Sequence, residues 1–176
     1  AFGNQISMTI TLSIAVFLIG VFFSEPILVL FGAKGDILPY AKSYFEILLY
    51  GIPFLAWLMM SNNNMRAEGK AKMAMMVMLI SSILNIVLDY LFIVVLDYGI
   101  EGAAWATTIG YASSALFTII YFSSGKSELK AARKDYFLNL KIVKEITSIG
   151  GVTMIRQGSI SLLAIILNYS LYKYGE

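Results

Sequence analysis

Residues 73–96 read MAMMVMLISSILNIVLDYLFIVVL and contain a single charged residue, Asp89. A helix crosses the hydrocarbon core of a bilayer with about 20 predominantly apolar residues, because each residue adds 1.5 Å to its length. This stretch is long enough and apolar enough to do so. It therefore predicts a membrane-spanning helix with one ionisable group inside it.

The rest of the chain has the same apolar character. Of its 176 residues, 59% are hydrophobic and 14% are charged, whereas soluble domains average about 45–50% and about 25%. A soluble globular enzyme is therefore excluded. The absence of Cys and His also excludes zinc sites built from them, disulfides and His-dependent nucleophiles. We expect no enzyme activity, and a net charge of +2 does not favour a nucleic-acid partner.

Four further apolar runs accompany residues 73–96. The predicted spans are residues 6–23, 37–61, 73–96, 103–123 and 146–172. Pro53 lies within the second span, where its missing N–H is expected to kink the helix. Residues 24–32 begin with Ser-Glu-Pro and end with Gly32, which predicts a helix too short to span and lying at the interface. The fold class is therefore an all-α, polytopic membrane helix bundle.

Lys and Arg residues are distributed unevenly between the loops. If the spans alternate, Lys34 and Lys42 lie on one side and nine basic residues lie on the other. These nine are Arg66, Lys70, Lys72, Lys126, Lys130, Arg133, Lys134, Lys141 and Lys144. Basic residues beside spans stay in the cytoplasm, so we predict a multi-pass protein of the cytoplasmic membrane with residues 124–140 inside the cell. We interpret that polar segment as a solvated tether.

Three charged residues lie away from the ends of the spans: Asp89, Glu46 and Arg156. Such groups are costly in a bilayer and are functional candidates by default. Asn85 and Ser82 precede Asp89 by one and two helical turns, which predicts a polar stripe on one face. The stripe either lines a cavity, where loss of hydration favours a neutral, protonated Asp89, or bonds to a neighbouring helix. Glu46 is predicted to be structural.

Candidate cavity residues lie in the second and fifth spans. Tyr44 and Asn62 are eighteen residues apart, which is five whole helical turns, so they share one face. Gln157 adjoins Arg156 in the fifth span. These two residues either face the same cavity or, in the case of Arg156, anchor the helix at the interface.

Several short segments follow one another along nearly the whole chain: LFGA (30–33), YAKSY (40–44), GIPF (51–54), NNNMRAEG (62–69), ILNIVLD (83–89) and GIEGAAWAT (99–107). The ordered set resembles the multidrug and toxic compound extrusion (MATE) family of secondary transporters. In that family, twelve helices form two six-helix lobes joined by a cytoplasmic linker. The resemblance implies a fragment with five of the twelve helices, the third to the seventh. Residues 1–123 would be the second part of the amino-terminal lobe, 124–140 the inter-lobe linker and 141–176 the first helix of the carboxy-terminal lobe.

The resemblance also implies roles for individual residues. Asp89 is similar to the family's coupling acid on the fifth helix, and Asn85 to its partner one turn away. Thr107, Asn62 and Tyr44 match further members of the polar network. A Na⁺ site, if one exists, would include Asp89 and Asn85, and the second acid, on the first helix of the family, is not in this sequence.

The chain departs from the family's pattern at two positions. Tyr90 stands where proline commonly follows the acid, which predicts a straighter helix. Gly150-Gly151-Val152 stands where the family has Gly-x-Pro, so glycine flexibility is expected to replace a proline kink. Both departures concern local geometry.

The function implied by the resemblance is cation-coupled antiport, in which organic cations or drugs leave in exchange for H⁺ or Na⁺ by alternating access. The expected partners are the substrate, the bilayer and the remaining helices of the full-length chain. No cofactor is expected besides the coupling ion. The alternatives are a lipid-linked oligosaccharide flippase, for which Arg156 is the sole basic cavity candidate, and a transport-inactive membrane fragment.

Overall fold

The computed structural model describes residues 2–125, 127–129 and 133–174. Its helices are α1 (Phe2–Phe22), α2 (Ser24–Leu30), α3 (Ile37–Ala67), α4 (Ala71–Asp89), α5 (Gly99–Ser123) and α6 (Leu140–Tyr174). A π-helical segment (Tyr90–Val95) follows α4 directly, and a 3₁₀ turn (Arg133–Tyr136) precedes α6. These described ranges contain no strand. The chain is an all-α membrane helix bundle, as predicted.

Five helices in the described part of the chain are long and apolar enough to cross a membrane. They are Phe2–Phe22, Ile37–Ala67, Ala71–Val95, Gly99–Ser123 and Leu140–Ser170. Each overlaps one predicted span, but the last begins at residue 140 rather than 146 and the fourth at 99 rather than 103. Hydropathy predicted later starts for these two helices, because Lys141, Lys144 and Glu101 interrupt the apolar run but not the helix.

We call the ends of the helices nearest residues 124–140 the linker end and the opposite ends the far end. Helices α1 and α6 start at the linker end, α3 and α5 finish there, and α2 lies at the far end. The predicted short helix at residues 24–32 is present as α2, and its place at a membrane surface stays a prediction.

Helix α5 is at the centre of the bundle, between α3 and α4. Its buried positions are mostly small: Gly102, Ala104, Ala106, Thr108, Gly110, Ser114, Ala115 and Thr118. A Cβ on Gly110 would lie 3.2 Å from the carbonyl oxygen of Ser81, and a Cβ on Gly51 would lie 3.2 Å from Oγ1 of Thr108. Small residues let membrane helices approach closely, which is the packing that holds α3, α4 and α5 together.

At the linker end, the buried side chains are larger and more apolar than the small buried residues of α5. Leu58, Met65, Ala74, Val77 and Tyr121 form a buried cluster between α3, α4 and α5. Elsewhere, many large apolar side chains of α1, α4 and α6 point away from the bundle. These faces suit contact with lipid or with further helices.

The helix is not regularly α-helical after Asp89, and the expectation that it is straighter there stays a prediction. The backbone changes from α-helical to π-helical at Tyr90, and the N–H of Leu96 donates to the carbonyl of Leu91 at 2.9 Å. Phe92 lies against Gly102, where an added Cβ would come within 2.9 Å, and its ring stacks on Tyr98 at 6.2 Å. This packing accompanies an irregular backbone in a segment that has no proline.

Replacing Gly20 with alanine is expected to destabilise the bundle. A Cβ on Gly20 would collide with the side chain of Leu49, which is only 1% exposed and has little room to move. Overpacking of this kind costs about 1–3 kcal/mol. Thermal unfolding of the purified full-length protein in detergent measures the loss. Gly150→Ala is the matched control, because an added Cβ there meets nothing within 4 Å; equal midpoints for the two variants would contradict the expectation.

Candidate functional site

The candidate site lies where α4 and α5 pack against each other. The amide Nδ2 of Asn85 donates to Oγ1 of Thr107 at 3.2 Å, and that hydroxyl donates to the carbonyl of Ala103 at 3.0 Å. The contact of Gly110 with Ser81 holds the two helices close enough for this bond. Asn85 keeps its amide oxygen as an acceptor. The structure thus brings together Asn85 and Thr107, two of the three predicted coupling residues.

Asp89 lies one turn beyond Asn85 on α4. It is half-buried, and its Oδ1 atom is shielded from solvent without a hydrogen bond from any residue that the structure describes. From Ala71, the start of α4, to Asp89 is about 27 Å along the helix axis. The π-helical segment begins at the next residue, and such segments often mark functional sites. A carboxylate oxygen in this position is suited to accept a cation or a proton.

The polar stripe on α4 differs from the predicted one at one position. Ser82 is exposed, whereas Ser81 is buried and lies beside Gly110 of α5. The stripe that faces α5 therefore follows the four-residue spacing of Ser81, Asn85 and Asp89. The sequence alone allowed either serine, and the close approach of α5 selects Ser81.

Asn62 lies at the linker end, away from this site. Its Nδ2 donates to the carbonyl of Ala74 at 2.8 Å, and its Oδ1 accepts from Nε of Arg66 at 2.9 Å. Asn62 thus ties the start of α4 to α3. Ala74 and Asp89 are fifteen residues apart on one helix, which is about 22 Å.

The other candidates from the sequence are spread over three surfaces. Tyr44 is half-buried on the far half of α3, and Gln157 and Arg156 are exposed on α6. Glu46 is exposed in a wide groove of about 640 Å³, which also contains the Glu25–Lys42 ion pair at 3.8 Å. The roles of Tyr44, Asn62 and Gln157 in a substrate cavity stay predictions.

Glu68, just after α3, has partners that the sequence did not predict. Its side chain is 4% exposed, and its carboxylate accepts hydrogen bonds from the Ser127 hydroxyl, from the N–H of Glu128 at 2.8 Å and from the N–H of Leu129 at 3.1 Å. The Tyr121 hydroxyl donates to it at 3.2 Å, and Nζ of Lys70 lies 3.8 Å away. An acid among the basic residues Arg66, Lys70 and Lys72 was the available signal.

The predicted linker segment is attached to the helix bundle at a second place, on α1. The side-chain amide of Asn4 donates to the carbonyl of Asp135 at 2.8 Å and accepts from the N–H of Asn139 at 2.7 Å. The Ser7 hydroxyl donates to the carbonyl of Tyr136 at 2.7 Å. The interpretation of residues 124–140 as a solvated tether is therefore wrong at the residues that are bonded to the bundle, which are 127–129, 135, 136 and 139. Sequence patterns missed these bonds because their partners are 59 to 135 residues apart.

The environment of Glu68 lowers its pKa. Burial alone would raise the pKa of this carboxyl, but the hydrogen bonds from Ser127, Leu129 and Glu128 and the charge of Lys70 outweigh burial and hold the pKa below its ordinary value of 4.5. The folded protein therefore favours the carboxylate more than the unfolded chain does.

A pH dependence of stability follows from the lowered pKa of Glu68. Its contribution is fully present above pH 4.5, the ordinary pKa, and is lost as pH falls through the lower pKa of the folded state. We expect the difference in unfolding temperature between the wild type and Glu68→Gln to be constant from pH 7 to about pH 5 and to shrink below it. Thermal melts of the full-length protein across this range measure the difference. A difference that grows on acidification would contradict the assignment.

The part of the chain that the structure describes contains no cluster of three or more His, Cys, Asp or Glu side chains suited to a metal ion. A Na⁺ ion at Asp89 would therefore depend on neutral oxygens as well. The available ones are the amide oxygen of Asn85 and the hydroxyl of Thr107. Oxygen atoms are the ligands that hard cations prefer, so the donor set fits such an ion.

Comparisons with known proteins agree with this architecture. The family model MatE matches residues 1–91. The chain belongs to the MatE family. Multidrug export protein MepA from Staphylococcus aureus (strain bovine RF122 / ET3-1) is 31% identical over 167 residues, which are 95% of this chain and 37% of MepA.

Solved MATE structures match nearly the whole chain. The MATE multidrug transporter DinF-BH, solved in complex with a ligand, is 36% identical, with a TM-score of 0.91, over 99% of this chain and 39% of that one. A multidrug resistance MATE family transporter of the MOP superfamily in an inward-facing conformation is 26% identical, with a TM-score of 0.82, over 94% of this chain and 38% of that one. The MATE chain described here thus spans less than two fifths of the length of these relatives. The relatives are transporters and export proteins, which agrees with the expectation of a non-enzymatic, multi-pass membrane protein.

Proposed function

We propose that the full-length protein is a cation-coupled antiporter that exports organic cations by alternating access. The observation that carries this proposal is Oδ1 of Asp89, shielded and without a hydrogen bond among the described residues, one turn from the Asn85–Thr107 pair in a MATE chain. The names of the relatives support the substrate class, since MepA is called a multidrug export protein and DinF-BH a multidrug transporter.

Coupling depends on the cost of a charged Asp89 at bilayer depth. A carboxylate without its own counter-charge is disfavoured in a medium of low dielectric constant, and either a proton on Oδ1 or a Na⁺ ion against it removes that cost. A Na⁺ ion would be held by Asp89 with the amide oxygen of Asn85 and the hydroxyl of Thr107, and it would supply only charge neutralisation. The residues of α4 and α5 orient these oxygens through the Asn85–Thr107 bond.

The link to movement is the packing between α4 and α5. The carboxylate ends the α-helical part of α4 and precedes the π-helical segment, whose Phe92 packs on Gly102 of α5. Neutralising Asp89 changes which partners its carboxyl oxygens favour. This change occurs directly beside the π-helical segment, where the helix is irregular. We infer that cation occupancy shifts the balance between conformations of the lobe, as a ligand does when it binds two states unequally.

Thr107→Val is expected to weaken cation binding. The valine side chain has nearly the same shape but cannot accept the bond from Asn85, so the amide loses its orientation. One hydrogen bond contributes about 1 kcal/mol, and we expect the half-saturating concentration of the coupling cation to rise about fivefold to tenfold. Thr107→Ser keeps the hydroxyl and is the matched control. A wild-type concentration dependence in Thr107→Val would remove Thr107 from the site.

The function is tested with the full-length protein in proteoliposomes. A proton gradient and a Na⁺ gradient are imposed separately, and the movement of a panel of fluorescent organic cations is followed. We expect one gradient to drive transport and its collapse to stop transport. If neither gradient moves any cation of the panel, the antiport proposal fails.

A further inference from the structure

Three contacts join the facing sides of α4 and α5, one at each successive helical turn. They pair Val77 with Ser114, Ser81 with Gly110 and Asn85 with Thr107. The first and the last are hydrogen bonds, and the middle one is a close approach of the two helices. We call these three contacts the α4–α5 seam. They are about 4.5–6 Å apart along each helix, and packed interiors transmit strain, so a change of spacing at one contact reaches the next.

Gly110 is the point of the seam where an added atom has no room. A Cβ on Gly110 would lie 3.2 Å from the carbonyl oxygen of Ser81, 3.4 Å from its Oγ and 3.6 Å from Cβ of Asn85. The carbonyl belongs to the backbone of α4, so it cannot rotate away as a flexible side chain could. An added methyl group is therefore accommodated by moving the two helices apart by a few tenths of an ångström.

The Asn85–Thr107 bond is sensitive to such a movement. Its length of 3.2 Å is already at the upper end of the range of N–H···O bonds, which is about 2.7–3.2 Å. Gly110 is three residues from Thr107 on α5, and Ser81 is four residues from Asn85 on α4. Widening the seam at Gly110 by a few tenths of an ångström takes the bond beyond this range, and the Asn85 amide then loses the partner that orients it.

We propose that Gly110 is a positioning residue for the cation site at Asp89. Its missing side chain lets α4 approach α5, and this approach keeps the Asn85–Thr107 bond short enough to form. The bond in turn holds the amide oxygen of Asn85 where it can assist a cation against Oδ1 of Asp89. Gly110 thus acts through the bond and not on the cation. This inference rests on the proposed function, because it takes Asp89 as the cation-binding acid.

The first test measures Na⁺ binding by the full-length variant Gly110→Ala. A cation that binds only the folded protein raises its unfolding temperature once the cation concentration exceeds the dissociation constant. The purified protein is therefore heated in detergent while NaCl replaces choline chloride at constant ionic strength. We expect the half-saturating Na⁺ concentration to be about fivefold higher than in the wild type, the effect of one hydrogen bond. An unchanged concentration, or a wild type that Na⁺ does not stabilise, would overturn the proposal.

Gly51→Ala is the matched control for the added methyl group. A Cβ on Gly51 would lie 3.2 Å from Oγ1 of Thr108, so the contact is as close as that of Gly110, but it lies between α3 and α5. Thr108 and Gly110 are two residues apart, about 200° around α5, so this crowding does not separate α4 from α5. We expect a lower unfolding temperature with an unchanged half-saturating Na⁺ concentration. Equal rises of that concentration in both variants would show that Gly110 has no positioning role.

Ser114→Ala tests the seam without adding an atom. It removes the bond to the carbonyl of Val77, on the side of Gly110 away from Thr107, and it requires no movement of the helices to fold. Because Gly110 is still in place, we expect the half-saturating Na⁺ concentration to stay within about twofold of the wild type. A fivefold rise in Ser114→Ala would show that Gly110 is not the residue that sets the spacing at the site.

The second test is a double-mutant cycle that asks whether Gly110 acts through the Asn85–Thr107 bond. Thr107→Val already lacks this bond, so adding Gly110→Ala has nothing further to break. We expect the half-saturating Na⁺ concentration of the double variant to match that of Thr107→Val within about twofold, whereas independent residues give effects that multiply. A concentration raised by the product of the two single effects would overturn the proposed route.

The positioning role and the proposed function can fail separately. A protein that moves no organic cation under either gradient, but whose Na⁺ binding weakens in Gly110→Ala and not in Gly51→Ala, would refute the function and keep the positioning role. A protein that exports organic cations under a proton gradient, but that Na⁺ does not stabilise, would keep the function and refute the positioning role.

Discussion

Asp89→Asn is expected to reduce gradient-driven export of organic cations to the level of cells without the transporter, while the protein stays in the membrane in normal amounts. Asparagine has nearly the same size and keeps polar atoms at the site. It carries no charge at any pH, so it can neither hold a proton as aspartate does nor neutralise a Na⁺ ion. Coupling is therefore lost while packing is preserved.

The measurement is substrate efflux from cells that express the full-length gene, with the proton and sodium gradients collapsed separately. Asp97→Asn is the matched control: it makes the same chemical change eight residues later, at an exposed turn position with a φ of +55° that asparagine also tolerates. Full ion-coupled efflux in Asp89→Asn at normal expression would show that the coupling site lies elsewhere.

Glu68→Ala is expected to cause the largest loss of stability among the substitutions considered. The change removes a carboxylate that is 4% exposed. It leaves the Ser127 hydroxyl and the N–H of Glu128 without this acceptor, and it leaves the N–H of Leu129 with only Oγ of Ser127. Hydrogen bonds to charged groups contribute about 1.5–3 kcal/mol, and partial hydration of the freed donors offsets some of this, so we expect a net loss of about 2–3 kcal/mol.

Two measurements distinguish the loss of the linker attachment from a general loss of stability. Thermal unfolding of the purified full-length protein gives the stability, and limited proteolysis between residues 124 and 140 reports whether the linker has left the lobe. Glu25→Ala is the matched control, because the Glu25–Lys42 pair has side chains 60% and 42% exposed and exposed ion pairs contribute about 0–1 kcal/mol. If Glu68→Ala melts and resists proteolysis like Glu25→Ala, Glu68 does not anchor the linker.

The candidate site and the contacts of the predicted linker segment lie in different parts of the bundle. The Asn85–Thr107 bond joins α4 to α5, and Asp89 lies one turn beyond Asn85. Glu68 and Asn4 hold the linker against the opposite end. The predicted linker segment is therefore attached to α1 and to the end of α3.

The sequence by itself determined the spans, the fold class and the candidate acid. Membrane insertion depends on local apolar length, so stretches such as residues 73–96 could be recognised without any knowledge of their neighbours. Asp89 was equally visible, because a charge inside an apolar run is exceptional wherever the run packs. The family resemblance implied that Asn85 and Thr107 belong to one polar network around Asp89, and the structure joins these two residues by a hydrogen bond.

The tertiary structure alone decided the contacts between distant residues. Asn4 meets Asp135 131 residues later, and Asn168 meets Phe31 137 residues earlier, with no local pattern to predict either bond. Ser81 rather than Ser82 faces α5 because Gly110 lets the backbones approach at that level. Hydropathy reports whether a residue suits lipid or water, but which polar groups meet depends on how the helices pack, and that is a property of the whole bundle.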